Sequence, residues 1–109
     1  METDISYVIE RHPDFEERTG VVVEALYATW DGAEAITIQG EIHPVEGDQI
    51  LEDTQIVIAV YDRSGRVVLL RHLPVKAEEF HSFDIFMIRV SPVTDTPTKI
   101  RIYPKVVRG

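Results

Sequence analysis

From Gly20 onward, short runs rich in Val, Ile and aromatic residues recur about every dozen residues, with turn-forming residues between them. This spacing constrains the fold more than any other feature. Amphipathic helices need apolar residues three and four apart over a longer window, whereas these runs alternate or stay apolar over the length of one strand. Strands are expected at 21–30, 35–43, 54–61, 66–72, 80–90 and 98–107, with a short one near Val75. A chain of 109 residues supports one hydrophobic core. Six to seven strands around one core predict an all-β, immunoglobulin-like antiparallel β-sandwich over residues 20–109. Residues 1–19 are expected to form a short irregular or helical segment packed on it. Asp14 would be its N-cap, Glu17 would complete a capping box and Gly20 would end it.

The turns carry their own chemistry. Asp31-Gly32 is a two-residue hairpin signal, and Asp62-Arg63-Ser64-Gly65 suits a type I turn closed by a left-handed Gly. In the last strand Ile100 and Ile102 alternate with Lys99, Arg101, Tyr103 and Lys105, and Pro104 predicts an edge strand or a bend because it cannot donate to a ladder. Residues 56–61 and 85–90 are apolar on both faces. Such strands need cover on the second face, from the N-terminal segment or from another chain.

The formal net charge of −8 disfavours nucleic acid and anionic membrane surfaces as partners, since both are bound through clustered Lys and Arg. No apolar run approaches the length that a membrane-spanning helix requires. With no cysteine there is no disulfide framework, thiolate metal site or cysteine nucleophile. The first twenty residues lack a basic start followed by an apolar run. A cytoplasmic protein is therefore expected from the chain as written, and an extracytoplasmic one if a leader or anchor precedes it.

The stretch from Ile36-Thr37-Ile38-Gln39-Gly40-Glu41-Ile42, through an acidic loop, to Ile56-Val57-Ile58-Ala59-Val60-Tyr61-Asp62-Arg63-Ser64-Gly65-Arg66-Val67-Val68 resembles the FxLYD family of small immunoglobulin-like domains. Ile58 and Val60 stand where that family has Phe and Leu, and Tyr61 and Asp62 match outright. The similarity covers about residues 35–90 and departs in the longer acidic loop at 44–53. It implies an immunoglobulin-like fold with no established catalytic role, so it speaks to structure more than to function.

No catalytic constellation is expected. His81, Ser82 and Asp84 are the only sequence-near set of nucleophile, base and acid, and adjacent residues of a strand point to opposite faces. No motif calls for a cofactor. Trp30, Tyr27 and Tyr61 fit core packing better than an aromatic binding patch. Two functions follow. The first is a non-catalytic interaction or assembly module that offers a sheet edge or face to a protein, a second copy of itself included, with Lys99, Arg101, Tyr103 and Lys105 as the partner-binding residues. The alternative is a small-ligand or calcium-binding domain using Glu46, Asp48, Glu52 and Asp53, since calcium takes several oxygen ligands on flexible backbone.

Overall fold

The computed structural model describes residues 2–107. Its elements are β1 (Thr3–Asp4), a 3₁₀ turn (Ser6–Val8), β2 (Ile9–Arg11), α1 (Pro13–Thr19), β3 (Val21–Trp30), β4 (Ile36–Pro44), β5 (Thr54–Tyr61), β6 (Val67–Val75), a second 3₁₀ turn (Ala77–Glu79), β7 (Asp84–Val90) and β8 (Lys99–Val106). Two four-stranded sheets, ordered β1-β3-β4-β7 and β2-β8-β5-β6, form a β-sandwich. All pairings are antiparallel except β2 with β8.

The alternation in the sequence decides which side chains meet between the sheets. Ile36, Ile38 and Ile42 point inward from the first sheet, and Ile56, Ile58, Val60, Ile100 and Ile102 from the second, all buried in one cluster. Burying a side chain of this size stabilises by roughly 1.5–3 kcal/mol. Gly40 faces inward as well, opposite Phe86 and beside a bulge in β3 between Glu24 and Tyr27. Its missing side chain is the room that Leu26 and the Phe86 ring occupy, the usual meaning of a glycine inside a strand.

Both hairpins form, though one departs from expectation. Asp62 to Gly65 closes the β5–β6 hairpin, with Gly65 at φ 84 and the Asp62 amide donating to the Arg66 carbonyl. The expected two-residue turn at Asp31-Gly32 is instead a loop over residues 31–35. Asp31 Oδ1 accepts the amides of Ala33, Glu34 and Ala35 at 2.8, 2.9 and 3.1 Å. One carboxylate that gathers three donors favours this longer loop. The expected strand at 80–90 starts only at Asp84, after Ser82 with φ 71, and the short strand near Val75 is the end of β6.

The N-terminal segment contributes strands to both sheets. β1 pairs with the end of β3, and β2 runs parallel to Ile100–Ile102 of β8. Hence β8 is an interior strand, which corrects the edge position inferred from Pro104. That proline lies two residues beyond the last position paired by β2, where β8 has only β5 beside it. The helix starts two residues earlier than expected. Pro13 fits its first turn, where no N–H is needed, so His12 rather than Asp14 is the N-cap, and no capping hydrogen bond forms. Gly20 at φ 78 ends the helix as expected. Inside it, Glu16 is buried and its carboxylate accepts the Val23 amide at 2.8 Å while pairing with Arg11 at 2.9 and 3.1 Å. The helix thereby supplies an acceptor to β3 beyond the reach of β1.

Candidate functional site

Lys99, Arg101, Tyr103 and Lys105 share the outer face of the second sheet, directly opposite Tyr61, Ala59, Val57 and Gln55. Three of them are engaged within the molecule. Arg101 Nε lies 3.1 Å from Glu10, Lys99 Nζ lies 3.8 Å from the same carboxylate, and both cations stand over the Tyr61 ring. Tyr103 packs on Phe15 and His12, with ring centroids 4.9 and 5.7 Å away. Beneath them Val57 and Ala59 are almost fully buried. The second face of β5 is thus covered from within, by the stems of long polar residues and by α1.

The acidic loop is spread out. Glu46, Asp48, Glu52 and Asp53 are all exposed. Asp53 is occupied by the Ala77 amide at 2.9 Å and by Lys76 at 4.0 Å. Among the described residues no group of three or more His, Asp or Glu side chains converges as metal ligands would. His81, Ser82 and Asp84 are exposed and joined by no hydrogen bond; the Asp84 carboxylate accepts the Ile85 amide. The three aromatic residues do not form one patch. Tyr61 lies on the second sheet, Tyr27 on the outer face of the first, and Trp30 packs against the core.

The first sheet presents a different surface. β7 is its edge strand, pairing only with β4. Its inward residues Phe86 and Ile88 pack on the core. The alternating Ile85 and Met87 point outward, 65% and 69% exposed, with Phe83 just before them 52% exposed. Across the sheet the rows run Glu24, Glu41, Ile85 and Tyr27, Gln39, Met87. Phe83 stacks on His43 at 5.8 Å, and His43 Nε2 lies 2.8 Å from Glu41 and 3.8 Å from Glu24. An apolar stripe with an acidic flank therefore borders an open edge. The two-face apolar pattern at 85–90 signalled it; Phe83 and Tyr27 carried no such signal.

Two of the four edge strands, β6 and β7, differ in protection. β6 carries Pro74, Arg71 and His72, whereas β7 reads Asp-Ile-Phe-Met-Ile-Arg-Val, without proline or lysine. Proline and lysine are among the usual means of blunting an edge, and the charges of β7, Asp84 and Arg89, stand on either side of Ile85–Ile88. Among the described residues no helix is long and apolar enough to cross a membrane. The chain matches no protein-family model, no curated protein and no solved structure.

Proposed function

We propose that this chain is a non-catalytic protein-interaction module that takes up an extended segment of another protein along β7. The observation that carries this is the stripe of Ile85 and Met87, 65% and 69% exposed on an edge strand without proline or lysine. Strand addition satisfies the open backbone groups, and alternate side chains supply specificity. Glu41 lies beside Ile85 and Glu24 beyond it, on the side away from the open edge, so the partner segment sets its apolar residues on the face of Ile85 and Met87, and residues of the other parity point to the opposite face. Self-pairing would bring together two copies each carrying −8, which favours a basic partner over a second copy.

The immunoglobulin-like character belongs to the same proposal. If β3, β4, β5, β6, β7 and β8 are taken as strands A, B, C, C′, E and F, the sheets become A-B-E and C′-C-F. That is an immunoglobulin-like order in which β2 occupies the place beside F that strand G usually fills. The β5–β6 hairpin with Tyr61 and Asp62 is then the part that is FxLYD-like.

An extended peptide alternating Val and Lys, titrated into the labelled domain, tests the proposal. Amide shifts should concentrate on Asp84–Val90. Covering about half of each exposed side chain is worth about 1 kcal/mol, so the Ile85→Lys, Met87→Lys double variant should bind more than tenfold weaker. Unmoved β7 amides, or equal binding by the double variant, would refute it. A dimer in sedimentation that the double variant abolishes would replace the basic partner by a second copy.

A further inference from the structure

On the opposite sheet, α1 and the end of β8 enclose an open groove of about 620 Å³, lined by Phe15, Arg18, Thr19, Gln55, Lys105, Val106 and Val107. Its floor is the outer face of the second sheet, where Gln55 and Lys105 are direct cross-strand neighbours. Its wall is the helix, which brings Phe15 and Arg18, with the guanidinium 5.0 Å from the Phe15 ring centre.

The charges here differ from those elsewhere on the molecule. Arg11, Arg63, Lys76, Arg89, Lys99 and Arg101 each stand at ion-pair distance from a carboxylate. Arg71 donates to two carbonyl oxygens, and Arg66 lies in the field of Asp62. Arg18 and Lys105 have no carboxylate at that distance among the described residues, although acids outnumber bases 19 to 11. Both line this one groove. The Gln55 side chain has no hydrogen-bond partner among the described residues either. The Thr19 hydroxyl is committed, since it donates to the Phe15 and Glu16 carbonyls and accepts the Val21 amide. Two cations and a free amide thus face a groove whose apolar surface is the Phe15 ring, with Val107 at its end.

We infer that this groove binds a small organic acid, its carboxylate held between Arg18 and Lys105 and its apolar body laid against Phe15 and Val107. A planar guanidinium matches a carboxylate with two parallel hydrogen bonds, and a second cation adds charge without geometric demand. Gln55 donates to a remaining lone pair of one carboxylate oxygen. Phe15 is itself braced by Tyr103, so the apolar wall is in place before a ligand arrives, which lowers the ordering cost of binding.

Phenylbutyrate is a suitable probe, with phenylbutanol as its uncharged counterpart. Titrated into the labelled domain, phenylbutyrate should shift the amides of Phe15, Arg18, Gln55 and Lys105 to Val107 saturably. Arg18→Gln and Lys105→Gln, both at exposed positions, should each weaken binding about tenfold, and phenylbutanol should bind more weakly still. The Ile85→Lys, Met87→Lys variant should bind the acid as wild type does, which separates this site from the β7 edge. Absence of saturable shifts at these residues, or equal affinity for the acid and the alcohol, would overturn the assignment. So would unchanged affinity in both single variants.

Discussion

Replacing Glu16 by alanine should be among the most damaging single changes outside the hydrophobic core. The side chain is 5% exposed while its partner Arg11 is 45% exposed, and the two halves of the loss differ for that reason. Freed Arg11 regains water, so the ion pair itself contributes only about 0.5–1 kcal/mol. The Val23 amide is fully buried in β3 and takes its hydrogen bond from Glu16 at 2.8 Å. Left without an acceptor, such a donor costs about 1–3 kcal/mol. Together these give a loss of about 2–4 kcal/mol, or a fall in Tm of about 10 °C or more for a domain of this size. Glu16→Gln keeps an acceptor in reach of Val23 and forfeits only the charge, so it should cost about 1 kcal/mol. Urea unfolding followed by Trp30 fluorescence separates the two variants by their midpoints. Coincident midpoints for the Ala and Gln variants would show that the Val23 amide does not depend on this carboxylate.

Gly40→Ala, which normally gains stability within a strand by restricting the unfolded chain, should instead cost about 1 kcal/mol, because the new Cβ would lie 2.6 Å from Leu26 Cδ2 and 2.9 Å from the Phe86 ring. A urea midpoint at or above the wild-type value would contradict that. The Asp31 carboxyl is held below the usual aspartate range by the amide of Ala33 first, then those of Ala35 and Glu34. A depressed folded-state value means that the loop's contribution is complete above the unfolded aspartate value of about 3.9 and is lost as pH falls through the folded one. Carboxyl NMR titration should show the low midpoint, and Asp31→Ala should remove that part of the acid dependence; an ordinary midpoint for Asp31 would refute it.

Local pattern accounts for what was legible without coordinates. Strand periodicity is a property of neighbouring residues, so Val21–Trp30 and Thr54–Tyr61 fall where expected. So do the Gly65 turn and the inward Ile100 and Ile102. Short-range side-chain competition was harder to read: whether Asp31 makes a tight turn or collects three amides depends on loop residues whose backbone angles the pattern leaves open.

Neighbours across the sheets were beyond reach, because pairing is set by contacts distant in sequence. Nothing local at Ile9–Arg11 says that these residues pair in parallel with β8 and so make an interior strand of one that Pro104 marked as an edge. That single pairing also moved the candidate site. It turned Arg101 and Tyr103 to covering Val57 and Ala59, and left Ile85 and Met87 as the apolar residues without cover. The sequence alone determined that this chain is a β-sandwich with more apolar strand faces than one core can hold. Which of those faces remains open was decided only in the tertiary structure, where α1 and β2 reach one sheet and leave the outer face of β7 to solvent.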